Sequence, residues 1–241
     1  MSSNKSLAEQ VAIVTGAGRG IGAAIACRLE DEGAIVIRAD LQSNQAEIDF
    51  VGDLSDEQTA GRLIAQTISG HGRVDILVNN AGGGILRPFL DHTPETLRTT
   101  IDRNLWTAIW CSWHALPHMK AAGFGRIINI GADSVRNGLV NHAGYNAAKG
   151  GMHGMTSGLA REFARDGITV NTVAPCAVQT QQLEDIRAVD PGFIEEVLSV
   201  IPIGRAARES EVAGMVAYLA GPDGGFITGQ VISVNGGAAM Q

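Results

Sequence analysis

Three cysteines in 241 residues are too few and too scattered to organise this chain. Cys27, Cys111 and Cys176 are odd in number and far apart, with neither metal-ligand spacing nor a disulfide framework, so a reducing cytoplasm is expected. Basic residues are also short: 18 Lys and Arg stand against 25 Asp and Glu, a net charge of -7. That balance gives no support to binding of nucleic acid or of an anionic membrane surface. No long hydrophobic run opens the chain. Residues 1–10 are polar, so neither a signal peptide nor a membrane span is expected. There is no internal repeat, low-complexity tract or interdomain linker. What is present suffices for a core: 45% hydrophobic and 18% charged residues, in a length suited to one α/β domain.

Short apolar runs alternate with helix-like patterns along the whole chain. Residues 11–14 (VAIV) read as a buried strand that runs into TGAGRGIG at 15–22, after which Ile25, Ala26 and Leu29 share a helix face. A strand, a glycine turn and a helix make a pyrophosphate cradle. Gly16, Gly20 and Gly22 let the backbone approach the ligand, and the helix N-terminus offers unpaired N–H groups. Residues 34–37 are the next strand, with Asp40 just past it. A carboxylate there accepts from ribose hydroxyls and repels a 2′-phosphate, favouring NAD over NADP. Arg19 and Arg38 are the opposing signal, since either could pair with that phosphate. A third extended piece at 48–51 leads to Asp53 and Leu54, where the acid suits an adenine amino group.

Residues 57–68 read as an amphipathic helix, and 74–78 as a strand closed by Asn79, Asn80, Ala81 and Gly82–Gly84, small residues fit to lie against a flat cofactor. One long helical region is expected over 94–119. Asn104 interrupts its apolar face, and Trp106, Trp110 and Trp113 recur at helical spacing, as core or subunit packing would require. Strands at 126–130, 169–173 and 231–234, and a helix at 209–219, complete the alternation. The segment 181–201 follows a strand end, is broken at Pro191-Gly192, and is a candidate substrate lid. The alternation implies an α/β fold: a single-domain, doubly wound parallel sheet with helices on both faces and ligands at the strands' C-terminal ends.

Tyr145 and Lys149 in G-Y-N-A-A-K are one helical turn apart. A free tyrosine has a pKa of about 10 and is a poor base at neutral pH. A neighbouring ammonium favours the phenolate and is expected to lower that value. The pair reads as a proton-transfer unit.

These motifs together resemble the short-chain dehydrogenase/reductase family over nearly the whole chain. TGAGRGIG at 15–22, NNAG at 79–82, Asn104, YNAAK at 145–149 and VNGG at 234–237 fall in the family's order and spacing. The resemblance implies a Rossmann-type fold, a nicotinamide cofactor, an alcohol or ketone substrate and a homo-oligomer, usually a tetramer that pairs long helices. It implies that Tyr145 is the general acid/base, that Lys149 holds the nicotinamide ribose and that Asn104 anchors a relay water. Pro175, Val178 and Thr180 fit the positions that meet the nicotinamide carboxamide.

Two positions depart from the family pattern. Ala132 stands where a serine is usual, and Cys176 where a glycine follows the proline. Ser134 is named as the replacement donor to the substrate oxygen, with His142 or a water as alternatives. Arg87, Arg136 and His142 are candidates to meet a substrate carboxylate. The segments LWTAIWC at 105–111 and RNGL at 136–139 resemble dehydrogenases of cis-dihydrodiol carboxylates. The expected function is hydride transfer between NAD and a secondary alcohol, cyclic diols and hydroxy acids included. An NADPH-dependent 3-oxoacyl-thioester reductase and a nucleotide-binding scaffold without catalysis are the competing readings.

Overall fold

Two periodicities meet in the computed structural model, which describes residues 5–43 and 47–240. Residues 1–4 of the polar N-terminal stretch lie outside that range. The strands are apolar on both sides and the helices on one, so the helices must cover the two faces of one sheet. The order is β1 (Val11–Thr15), α1 (Gly20–Asp31), β2 (Ile35–Asp40), β3 (Phe50–Val51), α2 (Glu57–His71), β4 (Ile76–Asn79), α3 (Pro94–Ile101), α4 (Thr107–Ala122), β5 (Gly125–Ile130), α5 (Ser134–Asn137), α6 (Ala143–Phe163), β6 (Ile168–Pro175), α7 (Gln181–Val189), α8 (Pro191–Ser199), α9 (Glu209–Ala220) and β7 (Val231–Val234).

All seven strands are parallel, in the order β3-β2-β1-β4-β5-β6-β7. Ile13, Leu77 and Ile127 point to the face covered by α2, α4 and α6, where Leu63, Ile64 and Met119 meet them. Their neighbours Val14, Ile76 and Ile128 point the other way, onto Ile25 and Leu29 of α1 and Val216 of α9. Alternate side chains thus serve opposite faces, as pleating requires. The order reverses between β1 and β4, which opens a crevice at their C-terminal ends.

The expected fold class is found, with several boundaries corrected. The third extended piece is only Phe50–Val51; Ile48 and Asp49 precede it, and the Asp49 carboxylate accepts from the Arg38 amide at 2.8 Å. Asp40 is the last residue of β2 rather than a residue beyond it. The single long helix expected over 94–119 is interrupted. α3 opens at a Thr93/Thr96 capping box with Pro94 in its first turn, a π-helical segment occupies Asp102–Trp106, and α4 continues to Ala122. Between β5 and α6 the chain winds into the short helix α5. The candidate lid is two helices, α7 and α8, divided at Pro191.

Helix α6 carries five glycines, Gly144, Gly150, Gly151, Gly154 and Gly158, each costing about 1 kcal/mol of helix propensity relative to alanine. Two of them explain themselves by packing. A Cβ on Gly151 would lie 2.7 Å from the Leu105 side chain, and one on Gly144 would lie 3.0 Å from Leu97. Their absence lets α6 settle against α3 and the π segment.

The turn after β1 is equally tight. A Cβ on Gly22 would collide with the Gly16 carbonyl and the Asn80 side-chain amide. Gly22→Ala should therefore lower stability by about 1–3 kcal/mol through overpacking, read as a lower urea midpoint without cofactor. An unchanged midpoint would mean that the turn yields freely.

Candidate active site

The strand ends converge on a cavity of about 890 Å³ at the β1/β4 crevice. Gly16, Arg19, Gly20, Ile21, Gly22, Asp40, Asp53, Leu54, Asn80, Ala81, Gly82, Tyr145, Lys149, Pro175, Val178 and Thr180 all line it, as does Ser134. Every residue expected to hold a dinucleotide thus faces one space.

The glycine turn is shaped for a phosphate. Gly16 and Gly20 have φ of +65° and +59°, where an L side chain is strained. Helix α1 begins at Gly20, and its N-cap residue, Arg19, makes no side-chain capping bond, so the first amides remain for an anion. Asp40 steadies the turn: one carboxylate oxygen accepts from the Gly18 amide at 2.8 Å and the other from the Gln42 amide at 3.3 Å. A Cβ on Gly18 would lie 2.9 Å from that carboxylate. Asn80 closes the opposite wall, its Nδ2 donating to the carbonyls of Thr15 and Gly16 at 3.0 Å each. The residues present fit a dinucleotide. Arg38 does not face the cavity. Its guanidinium is held by Glu30 at 2.8–3.1 Å, which removes one of the two cations expected to oppose the NAD reading. Asp53 accepts from the Ser55 amide and hydroxyl through Oδ1, at 3.0 and 2.7 Å.

Tyr145 and Lys149 lie on the wall made by α6. Lys149 is buried, donates from Nζ to the Ile130 carbonyl at 2.7 Å, and stands 5.8 Å from the Tyr145 ring centroid. Its burial pushes the ammonium down to about 8. The tyrosine runs against expectation: burial pushes its phenol up to about 12. Tyr145 keeps some surface open to the cavity, yet the walls crowd it closely enough for desolvation to dominate. One turn beyond Lys149, burial, then Arg136 and Lys149 itself, push His153 down to about 4, so the imidazole adds no charge there at neutral pH.

Asn104 is fully buried and stands behind the cavity wall rather than on it. Its Nδ2 donates to the carbonyls of Thr100 and Gly83 at 2.8 and 3.0 Å, and its Oδ1 accepts from the Gly83 amide at 3.2 Å. The π segment makes this possible by widening the helix where the asparagine turns inward, a device common at functional sites. Gly84 lies under the Tyr145 ring, where a Cβ would come within 2.7 Å of it.

The residues expected around the substrate oxygen are distributed differently. Ala132 is buried and cannot donate. Ser134 borders the cavity, but its hydroxyl donates to Asn146 Oδ1 at 2.6 Å, and Asn146 Nδ2 returns a bond to the Ser134 carbonyl at 2.9 Å. Ser134 caps the loop onto α6, and its proton is committed away from a substrate oxygen. Arg136 is also corrected: it donates to Ser233 Oγ at 2.6 Å and the Val231 carbonyl at 2.8 Å, on the far side of the loop. Arg87 is half-buried, its guanidinium donates to the Asp91 carbonyl at 3.5 Å, and it does not line the cavity. Of the three groups expected to meet a carboxylate, only His142 borders the cavity.

One feature was missed. Asp133 is fully buried and accepts from Ser233 Oγ and Asn235 Nδ2, both at 2.8 Å. It anchors the loop to β7 rather than facing the substrate oxygen. An acid inside an otherwise apolar strand exit was the available signal.

A family model described as enoyl-(acyl carrier protein) reductase matches residues 16–239. The chain is 56% identical over 245 aligned positions to 2,3-dihydroxy-2,3-dihydro-p-cumate dehydrogenase of Pseudomonas putida, covering 96% of this chain and 95% of that protein. It is 40% identical over 241 positions to acetoacetyl-CoA reductase of Rhizobium meliloti, covering 95% and 98%. To 1,6-dihydroxycyclohexa-2,4-diene-1-carboxylate dehydrogenase of Acinetobacter baylyi it is 31% identical over 260 positions, covering 98% and 99%.

The Ser134 geometry makes a sharp expectation. Ser134→Ala should cost about 0.5–1.5 kcal/mol of stability, the net worth of one hydrogen bond, while kcat stays within about threefold. A fall in kcat of about 10²-fold, the usual loss of an oxyanion donor, would restore Ser134 to the chemistry.

Proposed function

The chain belongs to the short-chain dehydrogenase/reductase family, and from that premise we propose that it is an NAD-dependent dehydrogenase of a ring-borne vicinal diol. It is an oxidoreductase of the alcohol/ketone pair with a nicotinamide cofactor. The observation that carries the finer reading is Asp40 at the end of β2, bordering the cavity while Arg38 is turned away onto Glu30. A fixed carboxylate there suits ribose hydroxyls and opposes a 2′-phosphate. The diol follows from the two relatives named as dihydroxy-ring dehydrogenases. The acetoacetyl-CoA reductase relative makes a thioester reductase the reading to exclude.

The bound cofactor supplies the hydride acceptor. The chain supplies the rest. Tyr145 takes the proton of the reacting hydroxyl at Oη, and the Lys149 ammonium, fixed by the Ile130 carbonyl, stabilises the phenolate that takes it. Asn104 holds Gly83, and through it the wall below Tyr145. Gly16, Gly20 and Gly22 receive the pyrophosphate, Asp53 and Leu54 the adenine, and Pro175, Val178 and Thr180 the carboxamide. Helices α7 and α8 line the substrate side through Leu183, Ile186, Ile194 and Val197, and act as the lid that shuts out water. Trp106 and Trp113 are exposed on one side of the π segment and α4, and Gly154 and Gly158 on α6 have open space above them. These faces suit pairing of long helices between subunits of a tetramer. No helix among the described residues is long and apolar enough to cross a membrane, and we place the enzyme in the cytoplasm.

With a cis-dihydrodiol as substrate, NAD should give a kcat/KM at least tenfold above NADP, followed as NADH absorbance, and Asp40→Ala should narrow that ratio. Faster reduction of acetoacetyl-CoA by NADPH would replace this reading with the thioester one.

Tyr145→Phe keeps the ring and removes the transferable proton, so turnover should fall by about 10²–10⁴-fold. Oxidation needs the phenolate and burial raises the phenol's pKa, so the base fraction grows with pH. In the wild type, kcat/KM for oxidation should climb from neutrality upward, and the residual activity of the Phe variant should lack that climb. A pH-independent wild-type rate would remove Tyr145 as the base.

A further inference from the structure

We propose that His142 reads the second, non-reacting hydroxyl of the diol, accepting a hydrogen bond from it at Nε2. This rests on the ring-diol reading above and adds the residue that would enforce it. His142 is the N-cap residue of α6, three positions before Tyr145, and is 8% exposed. What surface it keeps borders the cavity, and its ring meets that of Tyr145 edge-on, with centroids 6.1 Å apart.

The neighbour of Nδ1 decides the chemistry. Nδ1 lies 2.7 Å from the Val140 carbonyl oxygen. A carbonyl only accepts, so Nδ1 carries the proton. In the neutral ring that leaves Nε2 as an acceptor, and among the described residues it has no hydrogen-bond partner. An acceptor on a cavity wall without a protein partner is a place for a donor on the ligand. As an acceptor it cannot stabilise a growing oxyanion, so it does not replace the serine missing at Ala132. The proton it can take is one on a neutral hydroxyl.

The diol supplies that group in the right place. Its two oxygens sit on adjacent ring carbons, roughly one hydrogen bond's length apart. While one is engaged by Tyr145, the other falls on a neighbouring stretch of the same wall. Leu139, Leu86 and Cys176 line the same cavity and offer carbon and sulfur to the rest of the ring. Ser134 has its proton committed to Asn146. A site with a fixed acceptor for a substrate hydroxyl discriminates against the analogue that lacks it, because the acceptor is then left unpaired.

The test compares cis-1,2-dihydroxycyclohexa-3,5-diene with cyclohex-2-en-1-ol, both with NAD, in the wild type, His142→Phe and His142→Gln. The wild type should favour the diol. In the Phe variant the diol-to-monool ratio of kcat/KM should fall by about 10- to 100-fold, and in the Gln variant, which keeps an acceptor oxygen, the ratio should recover in part. An unchanged ratio in the Phe variant, with the diol still oxidised well, would overturn the role of His142 and leave the ring-diol reading standing. So would a loss confined to carboxylated diols, which would assign His142 a cationic role instead. A wild type that oxidises the monool but not the diol would overturn the ring-diol reading, and the role of His142 with it.

Discussion

The hydrogen bond from Lys149 Nζ to the Ile130 carbonyl, 2.7 Å long, is the contact on which the reactive corner depends. It joins the middle of α6 to the last residue of β5 at the point where the sheet ends. A buried ammonium with no acceptor would be costly, and this carbonyl, the last of its strand, is the acceptor. The bond therefore orients α6 about its own axis and so places Tyr145 one turn earlier on the same face. Burial that weakens the charge of Lys149 also holds the Tyr145 phenol in its neutral form. Desolvation is the dominant influence on both groups.

Close approach of backbone is the second condition. Gly151 and Gly144 let α6 settle against Leu105 and Leu97. Gly82 and Gly84 let the β4 exit pass beneath Asn104 and Tyr145. One methyl group at any of these positions would crowd its neighbour and force it to shift. The α6 glycines give up helix propensity, and in exchange three chain segments, the β4 exit, the α3–π region and α6, share a small volume.

Much of this was legible in the residues. Strand periodicity, the glycine turn at 15–22 and the YNAAK spacing led to the parallel sheet and to a cofactor-binding set that borders one cavity. What failed were statements about direction and partner. Ser134 is expected to donate to the substrate oxygen, but its segment winds into α5 and turns the hydroxyl to Asn146. Arg136 is expected to meet a substrate carboxylate, but Ser233 and the Val231 carbonyl, nearly a hundred residues later, claim it. The helix at 94–119 looked continuous because a π segment keeps helical composition; only its hydrogen-bond register differs. The lowered tyrosine pKa followed from a pairwise charge argument, and burial, which a sequence does not display, was the larger effect. Short-range pattern specifies elements well, whereas the partner of a polar side chain is decided by tertiary approach.

Asp133 takes its two side-chain donors from Ser233 and Asn235, 100 and 102 residues further along the chain, and Asn235 also donates to the Ala239 carbonyl at 2.8 Å. The loop that leads to Tyr145 is thus braced by residues about a hundred positions further along the chain. On a chain made from its N-terminus, Asn104, Tyr145 and Lys149 can all be outside the ribosome while β7 is still in the exit tunnel and the brace is missing. The braced loop is therefore gained in one step, when β7 emerges, and not by degrees as the chain lengthens.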